Sequence, residues 1–304
     1  MKGTSQRPAD IAVFLVEHGR LVEDALDRYL PSAGTSPQAV HAAMRHSVFA
    51  GGKRLRPILV MAAAEVTGLA PEDVLPSACA VELIHTYSLI HDDLPAMDDS
   101  PTRRGRPTCH VAFGEAMAVL AGDALHALAF ELLARNAAVE GCSPARVLAA
   151  IAELGRSIGT AGMVGGQALD LLAAGAPPDA TAVRRIHRLK TGSLIRAALR
   201  IGGILGDADP ITLGALDRYG EHMGLAFQIV DDILDVVGEP SKLGKRTGSD
   251  ATVAKATFPA VFGVEQSRRL AETGTRRAID ALAPLGARGD RLRDLASLLL
   301  AREH

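Results

Sequence analysis

An all-α chain forming one domain over residues 1–304 is the fold class that the sequence predicts. Three observations carry it. The composition is rich in Ala and Leu with scattered polar positions, and 48% of it is hydrophobic, the profile of amphipathic or buried helices. The β-branched alternation of strands is nearly missing. The breaks, "PSAGTSP", "GLAPED", "GCSP", "AAGAPPD", "GDADP" and "GEPSKLGKRTGSD", are evenly distributed, and none is long enough to link two domains. About ten helices are expected. No repeat of 20–50 residues appears, which argues against a solenoid.

The elements follow in chain order. "IAVFLVEHGRLVEDALDRYL" has apolar residues at helical spacing. "FAGGKRLRPI" is a basic loop between two glycines and a proline. "LPSACAVELIHTYSLIHDD" reads as a helix that ends at Asp92 and Asp93, because Pro95 disfavours helix at the residue before it. "CHVAFGEAMAVLAGDALHALAFELLARNAA" and "ARVLAAIAELGRSIGTAGMVGGQALDLLAA" each read as one helical run. In "RLKTGSL", Gly192 interrupts a helical pattern at a cost of about 1 kcal/mol, and a local kink that exposes backbone would explain it. "TLGALDRYGEHMGLAFQIVDDILDVV" is a long helix, apolar nearly all round at its end and therefore buried.

Bulk properties narrow the function. Net charge is -2, so nothing overall points to nucleic acid or an anionic membrane. Aromatics are 3% and Trp is absent, which leaves no base-stacking platform. Cys79, Cys109 and Cys142 form no CxxC and are too scattered for a disulfide framework or a zinc site. Reduced thiols are expected. Glu17 and His18 interrupt the only apolar N-terminal stretch, so no signal core is seen. No uninterrupted run reaches the ~18 apolar residues of a spanning helix. A soluble cytoplasmic protein is expected.

Two acidic clusters stand out. "HDDLPAMDD" collects Asp92, Asp93, Asp98 and Asp99 at a helix end, where the dipole is already negative. On an ideal helix Asp92 and Asp98 would be ~120° apart; the break at Pro95 is what could bring them together. In "AFQIVDDILDVV", Gln228, Asp231 and Asp235 are spaced i, i+3, i+7 and share one face. Charges in so apolar a helix are costly unless paired or bound to metal. Oxygen ligands without His or Cys suit Mg²⁺, which is usually completed by substrate phosphates.

Cations are expected to accompany such a substrate. "GGKRLRP" offers Lys53, Arg54 and Arg56 after Gly51 and Gly52, whose backbone N–H groups are free to meet an anion. "TRRGRP" offers Arg103 and Arg104, "RLKTGSL" offers Lys190 and Thr191, and "KLGKRTGSDATVAKAT" offers Lys242, Lys245 and Lys255. Each is a weak signal alone, since a basic loop is usually solvated. His85 lies seven residues before Asp92, on the same face.

Taken together, "GGKRLRP", "DDLPAMDDSPTRRG", "GDALH", "GGQALDL", "KTGSL", "FQIVDDILD" and "SDATVAKATFP" make the chain similar to the trans-isoprenyl diphosphate synthases, or polyprenyl synthetases, and most to their bacterial farnesyl branch. The resemblance covers nearly the whole chain. It implies an all-α bundle around a deep central cavity, usually homodimeric, that joins isopentenyl diphosphate to an allylic diphosphate with Mg²⁺. Carried over by position, Asp92, Asp98 and Asp231 match the firmest metal ligands, and Asp93, Asp232 and Asp235 match supporting ones. Arg103, Lys190, Thr191, Gln228 and Lys245 match residues that hold the allylic substrate; Gly52, Lys53, Arg56, His85 and Arg104 match the isopentenyl diphosphate site. Arg103 and Arg104 are thereby expected to serve two different diphosphates rather than to neutralise the aspartates. Tyr87 and Ser88, five and four residues before Asp92, match the positions that set product length, and a bulky residue at Tyr87 resembles farnesyl rather than geranylgeranyl synthases. On an ideal helix Ser88 shares the face of Asp92 while Tyr87 points ~140° away. Relatives often carry more acid where this chain has Ser100 and Pro101.

Other readings fit less well. A geranyl or geranylgeranyl synthase differs only in product length. A terpene cyclase would not need Lys53, Arg56 and Arg104, and is usually richer in aromatics for cations. A non-catalytic partner subunit could lose an aspartate cluster, whereas both are intact. His91–Asp92 as a phosphohydrolase signature would need further metal-binding histidines.

Overall fold

A computed structural model of the chain describes residues 7–175, 177, 179–237 and 257–300. Among these residues there are fourteen α-helices. They are α1 (Arg7–Tyr29), α2 (Gln38–Val48), α3 (Leu55–Val66), α4 (Leu75–Asp92), α5 (Cys109–Phe113), α6 (Glu115–Arg135) and α7 (Pro144–Ile158). Then follow α8 (Met163–Ala173), α9 (Ala180–His187), α10 (Ser193–Leu205), α11 (Pro210–Val237), α12 (Phe258–Phe262), α13 (Val264–Ala281) and α14 (Asp290–Leu300). The only strands among the described residues are β1 (Thr102–Arg103) and β2 (Arg106–Pro107), an antiparallel pair. The all-α expectation holds.

The helix count exceeds the expected ten in part because glycines divide two of the predicted runs. Gly114, at φ 86°, separates α5 from α6. Extended backbone at Gly159 separates α7 from α8. Hydrophobic periodicity continues across both breaks, so only the backbone reveals them.

The core is built on α3, α4 and α10. Nine of the twelve residues of α3 are buried, from Pro57 to Ala64 and Val66. α4 packs along α6 and α3; α10 is enclosed by α3, α7 and α11; α11 packs on α13. A Leu or Ile removed from water in this way contributes ~1.5–3 kcal/mol, which is why α3 and α4 can be apolar on nearly every face. By length and hydropathy alone, Glu115–Ala138 and Pro144–Ala173 could cross a membrane, but α6 lies along α4 as part of the bundle. Its outer residues Val119 and Leu120 are exposed. All three cysteines are buried and unbonded.

Candidate active site

α4 ends at Asp92, and the following loop turns back on it. The Asp98 N–H donates to the Asp92 carbonyl at 2.9 Å, Asp99 N–H to Leu94 O at 3.1 Å and Ser100 N–H to Asp93 O at 3.1 Å. These bonds satisfy carbonyls that a helix end leaves open. They also return Asp98 to the helix terminus, as the break at Pro95 suggests.

The two members of the Asp92–Asp93 pair part ways. Asp92 lines a cavity of about 340 Å³. Asp93 is buried and held by a forked bond from Arg103, with Nε to Oδ2 at 2.8 Å and Nη2 to Oδ1 at 2.7 Å. Burial pushes the Asp93 carboxyl up, and Arg103 pulls it back. Against the expectation for this arginine, Arg103 does pair with an aspartate of the cluster. A carboxylate so deeply buried requires a charged partner, and the hairpin carrying Arg103 supplies one.

The basic loop is divided in the same way. Arg54, 3% exposed, donates to Glu23 and Glu82 at 2.7 Å each and to Val48 O at 2.6 Å. It anchors the loop and cannot reach a ligand. Arg56, two residues on, lines the cavity, and its buried Nε has no hydrogen-bond partner. Arg104 bonds to Gly51 O and lays its guanidinium against Gly52. Lys53 is exposed beside them. His85 also lines the cavity; burial, then the charges of Arg56, Arg104, Arg103 and Arg54, hold its imidazole well below the usual histidine range. It is neutral at pH 7.

A π-helical turn, Arg188–Gly192, joins α9 to α10. The expected irregularity at Gly192 takes this form, and π-turns recur at functional sites. It delivers Lys190 and Thr191 to the cavity. Lys190 Nζ lies 2.7 Å from Asp170 Oδ2. Thr191 Oγ1 donates to Gln228 Oε1 at 2.7 Å, and Gln228 Nε2 donates to Asp232 Oδ1 at 2.9 Å. The other Asp232 oxygen accepts from Phe258 N–H at 3.0 Å and lies 3.2 Å from His187 Nε2. With 2% exposure and both oxygens engaged, Asp232 accepts hydrogen bonds from within the protein. Asp231 is half-buried, and close enough to Arg56 to oppose the effect of burial on that guanidinium. Asp235 is buried at 2% exposure.

Both Tyr87 and Ser88 line the cavity, although ideal geometry puts them on different faces. The cavity is wide enough for α4 to present more than one side to it. Met163, Val164, Ala168, Leu171 and Leu194 complete its apolar part. Lys242, Lys245 and Lys255 lie outside the described residues.

Two polar residues here escaped the sequence reading. Gln167 lines the cavity with both amide atoms buried and unpartnered, and Asp170 pairs with Lys190. Their i, i+3 spacing in "GGQALDL" was the available signal. Gly166 explains the preceding glycine: a Cβ there would come within 2.2 Å of Lys190 N, so only glycine lets α8 touch the π-turn. A larger cavity of about 740 Å³ lies behind that turn, but its arginines are paired, Arg188 with Glu221, Arg196 with Asp217 and Arg200 with Glu153 and Asp217.

Among the described residues, no three Asp, Glu, His or Cys side chains are grouped closely enough to cage a metal. The residues that would serve as donors, Asp92, Asp98 and Asp231, are all carboxylates. They fit a hard divalent cation such as Mg²⁺ that takes its remaining ligands from water and phosphate.

The family model "Polyprenyl synthetase" matches residues 37–281. The chain is 47% identical over 282 residues to farnesyl diphosphate synthase of Escherichia coli (strain K12), covering 91% of this chain and 94% of that one. It is 43% identical to the heterodimeric geranylgeranyl pyrophosphate synthase large subunit 1 of Arabidopsis thaliana, over 95% of this chain and 78% of that one. Its fold superposes on an FPP/GFPP synthase from Zymomonas mobilis with a TM-score of 0.85, at 37% identity, covering 96% of this chain and 99% of the other. The chain belongs to the polyprenyl synthetase family and is a prenyltransferase of the trans-prenyl diphosphate synthase type.

Proposed function

We propose that this enzyme condenses isopentenyl diphosphate with dimethylallyl and then geranyl diphosphate to give farnesyl diphosphate, with Mg²⁺ held by Asp92, Asp98 and Asp231 and supported by Asp235. One observation carries the reading. A single cavity is lined by Arg56, His85, Asp92, Lys190 and Thr191 together with Tyr87 and the apolar side chains of Met163, Val164, Leu171 and Leu194. The charged head and apolar tail of one substrate fit such a lining.

In this reading Gly52, Lys53, Arg56, His85 and Arg104 hold isopentenyl diphosphate. Neutral His85 can donate one hydrogen bond without adding charge. Lys190, oriented by Asp170, and Lys245 meet the allylic diphosphate. Arg103 reaches it through the edge that Asp93 does not engage. Mg²⁺, when bound, neutralises the diphosphate as a leaving group. The allylic C–O bond then ionises, and the apolar walls keep water from the cation. Thr191 gives its hydroxyl proton to Gln228, so its oxygen lone pairs are left to face that cation. The isopentenyl double bond attacks the cation, and the departing diphosphate takes the proton released. The acceptor needs no dedicated side-chain base. The exposed apolar residues Val119, Leu120 and Leu148 on α6 and α7 support a homodimer.

The test is incubation of the purified protein with Mg²⁺, isopentenyl diphosphate and dimethylallyl diphosphate, with chromatography of the dephosphorylated products. Mostly C15 alcohol is expected. Mostly C20 would reassign the product, and cyclic hydrocarbons made without isopentenyl diphosphate would replace the synthase reading with a cyclase.

A further inference from the structure

His187 is the last residue of α9 and stands directly before the π-turn that delivers Lys190 and Thr191 to the cavity. It does not line the cavity itself. Buried, it packs its ring against Phe258 with centroids 5.3 Å apart and holds Nε2 3.2 Å from Asp232 Oδ2. Among the described residues its buried Nδ1 has no hydrogen-bond partner. A neutral imidazole carries one N–H. With a carboxylate before Nε2 and nothing before Nδ1, that proton belongs on Nε2, which donates to Asp232. Burying the bare Nδ1 works against stability, so a residue needed only to fill this space would be served better by an apolar side chain.

The bond directs the groups beyond it. Asp232 can only accept, so it fixes which end of the Gln228 amide it meets: Nε2 donates to Oδ1 at 2.9 Å. The amide oxygen is thereby turned to Thr191, whose Oγ1 donates to it at 2.7 Å. Gln228 and Asp232 are one turn apart on α11, and His187 and Thr191 are joined by the π-turn. The chain of bonds therefore closes into a ring. Phe258 N–H shares Oδ2 at 3.0 Å, so two groups hold Asp232 from that side.

We propose that His187 is a positioning residue for the condensation: it holds Asp232 so that Gln228 presents its oxygen to Thr191, and the lone pairs of the Thr191 hydroxyl stay turned to the cavity. His187 touches no reacting atom. The inference rests on the synthase reading above and adds to it a residue from outside the cavity.

Single-turnover rates of the purified protein with Mg²⁺, isopentenyl diphosphate and geranyl diphosphate test it. His187→Leu keeps bulk and loses the donor. It should slow the chemical step roughly 2- to 10-fold, as loss of one hydrogen bond does, with substrate affinity nearly unchanged. A Gln side chain places its amide nitrogen where Nε2 stands, and Asn places its own where Nδ1 stands. His187→Gln should therefore restore most of the rate, and His187→Asn should not. The double substitution separates positioning from a merely structural role. In a Thr191→Val background the hydroxyl that His187 acts through is gone, so His187→Leu should add less than about 2-fold, whereas independent defects would multiply. Multiplying effects, equal rates in His187→Gln and His187→Asn, or an unchanged rate in folded His187→Leu overturn the inference alone. If His187→Leu fails to fold, the Gln and Asn variants decide by the same criterion. An unaltered protein that condenses nothing sinks the synthase reading, and this inference with it.

Discussion

The two aspartate pairs, Asp92–Asp93 and Asp231–Asp232, lie on opposite kinds of scaffold and divide their work alike. The first stands at a broken helix end, where the loop to Ser100 folds back through three backbone hydrogen bonds. The second lies in the continuous helix α11. Neighbours on a helix point ~100° apart, so the two members of each pair meet different surroundings. In both, the second aspartate is caught by the protein: Asp93 by the Arg103 fork, Asp232 by Gln228, the Phe258 N–H and His187. The difference is in the partner. A full charge holds Asp93, and three neighbouring groups share Asp232. The second aspartate of each pair is therefore held by side-chain and backbone donors of the protein itself.

The largest effect that could break this comparison is on turnover. Asp92→Asn and Asp231→Asn should each lower kcat by ~10³-fold or more, as loss of a group that stabilises developing charge does, with thermal melts near that of the unaltered protein. An Asp93 or Asp232 variant that loses as much activity while keeping full stability would erase the division. Stability comes next. Asp93→Ala leaves Arg103 without its partner and should cost about 3 kcal/mol; Asp232→Ala orphans the Gln228 amide and the Phe258 N–H and should cost about 1–3 kcal/mol. Urea unfolding monitored by circular dichroism measures both, and the reverse order would mean that the shared acceptor matters more than the charge. Third, Thr191→Val removes the hydroxyl that joins Gln228 to the cavity, and should reduce single-turnover rates by roughly 10-fold without altering substrate binding. The smallest effect is in pH dependence. The folded state holds His85 neutral far below its ordinary range, so the unfolded chain binds the proton first. Stability should therefore fall as pH drops below about 6.5, by up to ~1.4 kcal/mol per unit for this group. His85→Gln should flatten that acid limb in urea melts at pH 5–7, and an unchanged slope would remove His85 as its source.

Much of the site was legible because periodicity reports faces. Gln228, Asp231 and Asp235 stand out on an apolar helix, and Pro95 marks where α4 must stop. What periodicity omits is the partner. Arg54 and Arg56 are two residues apart in one basic run, yet Glu23 and Glu82 claim the first and the cavity receives the second. Gln167 and Asp170 were passed over because an amide and one acid in an amphipathic stretch look solvated until the π-turn is set against them. Gly114 escaped because one left-handed residue does not interrupt a hydrophobic pattern.

The sequence by itself determined the helical class, the two acidic clusters and the cations around them. These follow from local rules: side-chain spacing, proline geometry and the cost of charge in an apolar helix. Tertiary structure alone decided that Asp92 lines the cavity while Arg103 holds Asp93, which arginine is an anchor, and that Tyr87 packs on His126 of α6. Those outcomes depend on what lies opposite each side chain, and the opposite residue is 20 positions away for Lys190 and Asp170, 37 for Thr191 and Gln228. Local propensity carries no information about contacts of that range; only packing does.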